Sequence, residues 1–229
     1  MRSLVLIFLI ISVKIYSQSV VLNADVNPGG YIIALPLAPP ETTGSLYIDE
    51  HWLLGDFDLI DGIKIEKYPL KYNLKNNTLE IDFEGGTRVC HLNQLKKISW
   101  KKFGETETHD FVNTTYYAPT SKDNTMRLMN ILLEQSHLTL FKHYYLDKKE
   151  SSYVVEFDIG SKDNKMLLKY AYYIFIDNSF YELKSSLKKN KVLFKDHYLA
   201  IEKYSKLNKL KIKNQTDLIN LMQYYNSLL

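Results

Sequence analysis

Ile63-Lys64-Ile65-Glu66-Lys67-Tyr68-Pro69-Leu70-Lys71-Tyr72-Asn73-Leu74-Lys75-Asn76-Asn77-Thr78-Leu79-Glu80-Ile81-Asp82-Phe83-Glu84-Gly85-Gly86 is the stretch that decides the fold class of this chain. Ile63 and Ile65 alternate with Lys64 and Glu66. Leu70, Tyr72 and Leu74 alternate with Lys71, Asn73 and Lys75, and Leu79, Ile81 and Phe83 alternate with Glu80, Asp82 and Glu84. Period-two alternation with one apolar and one charged face predicts antiparallel strands that cover a core on one side. The breaks are Asp61-Gly62, Asn76-Asn77 and Gly85-Gly86, residues that tolerate the positive φ of tight hairpins. Residues 46–102 therefore read as a meander of five or six strands.

Downstream, Met126–Leu133 is short and apolar, and periodicity alone does not separate strand from helix there. Strand is the expected state, because Glu134-Gln135-Ser136 then turns into His137–Tyr145. A second unit follows: Tyr153–Phe157, a polar turn, Met166–Ile176, the Asp177-Asn178 turn, and Phe180–Leu183. Ser121-Lys122-Asp123-Asn124 recurs as Ser161-Lys162-Asp163-Asn164, each time with Met two residues on. The recurrence fits a duplicated hairpin or two polar turns of common composition. After Lys184 the period lengthens. Leu218, Leu221, Met222 and Tyr225 fall at i, i+3, i+4, i+7 behind an Asn214 cap, and Ala200, Tyr204 and Leu207 give the expected stripe of the preceding helix.

Upstream, four of the six prolines lie between Pro28 and Pro40. That density excludes a helix or central strand and predicts an extended arm. Before it, Arg2 precedes the apolar run Leu4–Val13, with Ser17 ahead of a polar stretch, the pattern of a secretory signal peptide. The run is shorter than the roughly 20 residues a spanning helix needs. The expected organisation is thus a signal peptide over 1–17, an extended Pro-rich arm over 18–43, an antiparallel β domain over 44–183 and Lys-rich helices over 184–229. The fold class is α+β, mainly β: a meander forming an open barrel or sandwich, followed by a small C-terminal helical subdomain. No transmembrane segment is expected after signal removal.

Cleavage after Ser17 leaves 212 residues, enough for a real core. Cys90 is the only cysteine, so an exported chain has no internal disulfide and the core carries stability alone. Charge is distributed unevenly. From Lys184 onward ten lysines face three acids, net +7, whereas Gln18–Leu183 holds 17 basic and 23 acidic residues, net −6. Such a basic end suits anionic polymers or lipid headgroups, or is the solvated side of amphipathic helices.

Gly44-Ser45-x-Tyr47, Asp61-Gly62, and Pro69-Leu70-Lys71-Tyr72-Asn73 ahead of Leu79-Glu80-Ile81 resemble a widespread group of secreted Bacteroidota proteins. So does the ending, Asp217-Leu218-Ile219 with Tyr224-Tyr225-Asn226-Ser227-Leu228. In that group Arg usually stands where this chain has Lys71. The resemblance implies an exported β scaffold with a helical end, in the periplasm or at the cell surface. It carries over no catalytic residues.

The residues themselves offer little catalytic chemistry. Cys90-His91 and His109-Asp110 are strand neighbours that face opposite ways. Asp56, Asp58 and Asp61 have Phe57, Leu59 and Ile60 between them and lack the ligand rhythm of a calcium loop. No metal or other cofactor is expected, and no phosphate-cradling glycine loop or nucleophile motif occurs. The tyrosine pairs are the best binding candidates, above all Tyr144-Tyr145 and Tyr172-Tyr173, since exposed aromatic rows stack on sugars or peptides. The expected function is a non-catalytic envelope protein binding a protein or glycan component, with nucleic acid not expected as a partner. The alternatives are a hydrolase with an unrecognised site, for which Trp52 with Asp56 and Asp58 is the candidate neighbourhood, and an outer-membrane barrel, which the charged outward residues disfavour.

Overall fold

The computed structural model describes residues 32–34, 43–102, 104–123, 125–149 and 165–229. The expected signal peptide, most of the Pro-rich arm, the strand expected over Tyr153–Phe157 and the second copy of the polar tetrad lie outside these residues. Among the described residues eleven strands form one antiparallel sheet: β1 (Ile32–Ala34), β2 (Leu53–Leu59), β3 (Lys64–Asn73), β4 (Thr78–Phe83), β5 (Gly86–His91), β6 (Leu95–Lys101), β7 (Thr108–Asn113), β8 (Leu128–Glu134), β9 (Thr139–Lys149), β10 (Lys165–Ile176) and β11 (Ser179–Leu183). The helices are the single turn α1 (Thr114–Tyr117), then α2 (Lys191–Phe194), α3 (Tyr198–Leu207) and α4 (Gln215–Asn226). The chain is mainly β with a C-terminal helical part, as the alternation and the late change of period predict. Met126–Leu133 is resolved in favour of strand, and within the Pro-rich arm β1 pairs with β5 at one end of the described sheet.

Strand order is β1-β5-β4-β3-β2-β6-β7-β8-β9-β10-β11, two meanders joined where β6 returns to the free side of β2. Only Leu92–Gln94 connect β5 to β6, although β4, β3 and β2 lie between them in the sheet. Four flat strand spacings are about 19 Å, whereas four residue steps reach at most about 14 Å. The sheet must therefore curl, and its first half wraps around its own core. Asp177 and Asn178, with φ of 50° and 56°, make the two-residue left-handed turn that joins β10 to β11.

The concave face across β3 to β7 buries Leu70, Tyr72, Leu79, Ile81, Cys90, Ile98, Trp100 and Phe111. The same face continues onto β9 and β10, where Leu140 and Ile174 meet Phe194, Ile201, Leu218, Leu221 and Met222 of the helical part. A third cluster, including Val112, Met129, Phe141 and Phe180, covers the opposite face of the second meander.

The segment 43–48 ties the two halves together. Its Thr43 carbonyl accepts from the Met166 amide at one end, and Leu46 and Ile48 pair with Leu74 and Tyr72 at the other. Gly44 makes the crossing possible. Its φ is +104°, and a Cβ there would lie 2.3 Å from the Met166 carbonyl oxygen.

In α4, Leu218, Leu221, Met222 and Tyr225 are buried and Asn214 caps the Asp217 amide at 3.0 Å, as the spacing predicts. In α3 the inward stripe differs from the expected Ala200-Tyr204-Leu207. Tyr198, Ile201 and Ser205 are buried, and Leu207 is 78% exposed. Both stripes have helical spacing, and the tertiary fit selects between them: Ile201 enters the α4 core, Ser205 donates to the Leu210 carbonyl, and Tyr204 stacks flat on Tyr224 at 3.9 Å. No helix among the described residues is long and apolar enough to cross a membrane.

Candidate functional site

β9 and β10 pair in strict register, Leu140 opposite Ile174, Lys142 opposite Tyr172 and Tyr144 opposite Tyr170. Because side chains alternate, the hairpin sorts the predicted tyrosines two and two. Tyr144 and Tyr172 lie on the concave face, and Tyr145 and Tyr173 on the convex one.

On the concave face the Lys142 ammonium sits 4.3 Å from the Tyr170 ring centroid and 4.9 Å from that of Tyr144, and donates to Gln215 Oε1 at 3.1 Å. Burial, with the Lys102 charge adding, lowers the lysine pKa. Burial likewise pushes the Tyr144 and Tyr172 phenols up to about 12. These hydroxyls stay protonated at neutral pH and act as hydrogen-bond groups, not as bases.

On the convex face His143 lies between Tyr145, stacked at 6.0 Å, and Tyr173, edge-on at 6.1 Å. The Arg127 guanidinium covers Tyr173 at 5.5 Å and pairs with Asp123 at 2.8 Å. Burial first, then the Arg127 charge, pulls the His143 pKa down to about 4, so the imidazole is neutral at pH 7.

The two faces meet in a groove because the strands differ in length. β10 has twelve residues and β11 five, so β11 stops at Leu183 opposite Tyr172 and leaves the first half of β10 beside a notch. The notch is a cleft of about 500 Å³. Tyr145, Tyr170 and Tyr172 supply its rings, and Glu182, Lys184, Ser185, Lys189 and Lys213 its polar lining. Tyr170 is 50% exposed and Tyr145 39%. Lys184 pairs with Glu182 at 3.0 Å, whereas Lys189 and Lys213 have no ion-pair partner among the described residues. Aromatic faces with hydroxyl and ammonium groups around them bind a polyhydroxylated or peptide ligand by stacking and hydrogen bonding. Of the four predicted tyrosines, the groove uses Tyr145 and Tyr172; Tyr144 supports it from behind, and Tyr173 faces away. Tyr170 and Lys142 went unpredicted, yet both follow by stepping two residues back from Tyr172 and Tyr144. The rim lysines had no local signal.

A second constellation gathers residues on which the sequence resemblance rests. Glu80, 3% exposed, accepts from the Tyr47 hydroxyl at 3.1 and 3.2 Å and from Asn73 Nδ2 at 3.0 Å. Lys71 lies 4.8 Å from the Tyr47 ring and 5.2 Å from that of Trp52. With Gly44 under Met166, these contacts fasten the 43–48 segment to β3 and β4. Trp52 thus faces Lys71, while Asp56 accepts the Lys67 amide at 2.8 Å; the two share no contact that would build a site. Among the described residues no three His, Cys, Asp or Glu groups converge as a metal set. The Cys90 thiol is buried and pushed up to about 12 by that burial.

No protein-family model, curated protein or solved structure matches this chain.

Proposed function

We propose that this chain is an exported, non-catalytic envelope protein whose β scaffold binds a glycan or protein component in the groove beside β10. The observation that carries the proposal is the composition of that groove. Tyr145, Tyr170 and Tyr172 present rings and hydroxyls, Lys189 and Lys213 present ammonium groups with no ion-pair partner among the described residues, and the carboxylate in the described lining, Glu182, is held by Lys184, with no cysteine or histidine beside it there. Such a surface recognises without activating a nucleophile. Export is argued from Arg2 and the Leu4–Val13 run, and the resemblance to secreted Bacteroidota proteins agrees with it.

The test is capture of components from the envelope of the producing cell on the immobilised chain, alongside a Tyr145→Ala/Tyr170→Ala variant. Both rings are exposed, so the variant keeps its fold, checked by circular dichroism. A component retained by the parent chain and lost by the variant supports the proposal. Retention of nothing, or equal retention by both, overturns it.

A further inference from the structure

The stripe that α3 turns outward combines features that water alone does not favour. Leu199 is 73% exposed and Leu207 78%, and Val192 on α2 is 89% exposed. Leu199, Lys203, Lys206 and Leu207 fall at i, i+4, i+7 and i+8, which is one face of the helix. Together with Glu202 they line one shallow depression. The leucines stand about 12 Å apart along the axis at 1.5 Å per residue. Lys206 is paired with Glu202 at 3.3 Å, whereas Lys203 has no ion-pair partner among the described residues. The opposite face is held by Tyr198 and Ile201 in the core, so the stripe is presented rigidly.

A lone exposed leucine is ordinary. Two leucines on one stripe with lysines between them select among partners. Protein interfaces deplete lysine at their centre, because its ammonium must be desolvated there. A lipid headgroup layer takes both chemistries: leucines enter the boundary with the acyl chains, and lysine stems lie along it with their ammonium groups on phosphate. Charge favours the same partner, since ten lysines face three acids from Lys184 onward.

We infer that the outward face of α3 docks on an anionic lipid surface, with Leu199 and Leu207 entering the headgroup boundary and Lys203 and Lys206 on its phosphates. This surface is separate from the groove beside β10, and either site stands without the other.

The experiment is co-sedimentation of the full chain with vesicles of phosphatidylglycerol and phosphatidylethanolamine, and with vesicles of phosphatidylcholine alone. The chain partitions to the anionic vesicles, less so as salt rises, and at least about tenfold less to the neutral ones. Leu199→Ser/Leu207→Ser weakens partitioning about tenfold or more, and Lys203→Glu weakens it severalfold. Each variant keeps residues 1–17 and the parent unfolding temperature, so neither the N-terminal apolar run nor misfolding explains a loss. A Leu207→Trp variant, with the signal of Trp52 and Trp100 subtracted, shifts its emission to shorter wavelength on anionic vesicles. No binding to anionic vesicles at low salt overturns the inference. So does equal binding by the leucine variant, or binding that a soluble polyanion such as heparin reproduces irrespective of the leucines, which would make the lysines a polymer site.

Discussion

Acidification destabilises this protein through His143, and His143→Gln removes that dependence between pH 6.5 and 4. The imidazole lies among Tyr145, Tyr173 and the cross-strand Met129, with Arg127 nearby, and no carboxylate of the described structure bonds it. Its folded pKa is about 4 against an ordinary 6.5, a difference of 2.5. At 1.36 kcal/mol per unit the full effect is about 3 kcal/mol. The sign follows from proton uptake. Above pH 6.5 the ring is neutral in both states and nothing is lost. Between 6.5 and 4 the unfolded chain binds the proton and the folded chain does not, so stability falls with pH. Below 4 both states are charged and the loss is complete. At pH 5 it is already about 2 kcal/mol. Urea unfolding at pH 7.5, 6.5, 5.5, 5 and 4 measures it, with His143→Gln in parallel and equal m-values required. The variant is expected to lose about 3 kcal/mol less than the parent across that window, whatever its offset at pH 7.5. Parallel curves, within about 0.5 kcal/mol at every pH, would refute burial as the cause of the shift.

Tyr47→Phe removes the hydroxyl that Glu80 accepts and leaves Asn73 as the remaining side-chain donor, which costs about 1–3 kcal/mol of stability in chemical denaturation. Ile201→Ala opens a cavity in the α3–α4 core and costs about 2–5 kcal/mol, while Leu207→Ala on the outward face of the same helix changes stability by less than about 0.5 kcal/mol. Comparison of their unfolding midpoints checks the corrected stripe. Cys90, buried with its pKa at about 12, remains unmodified by a thiol-exchange reagent at pH 8 in the folded protein and reacts once urea unfolds it. Absorbance of the released thiolate follows both states.

Period-two alternation from Ile63 to Phe83 located β3 and β4 and the inward Leu70, Tyr72, Leu79 and Ile81, because a strand in a one-sided sheet alternates its faces. It did not show that Ile63 stays exposed or that Asn73 and Glu80 on the other face are buried where Tyr47 bonds Glu80. Turn chemistry at Asp61-Gly62, Asn76-Asn77 and Asp177-Asn178 marked the hairpins for the same local reason. The α4 stripe and its Asn214 cap were equally legible, since only one set of residues there has helical spacing. What depended on distant partners was not. Local pattern does not say that β6 returns to β2, that a three-residue connector forces the sheet to curl, or that 43–48 crosses to Met166 and needs Gly44. In α3 two stripes satisfied the same period, and only the packing of Ile201 against α4 determined which one faces water. The tyrosine pairs 144–145 and 172–173 lie on the hairpin beside the groove, but the groove itself arises where β11 ends short of β10 and the lysines of a later segment line it. Spacing reports what neighbours a few residues apart must do; a site whose walls come from β9, β10, the end of β11 and the approach to α4 exists only once the chain has closed.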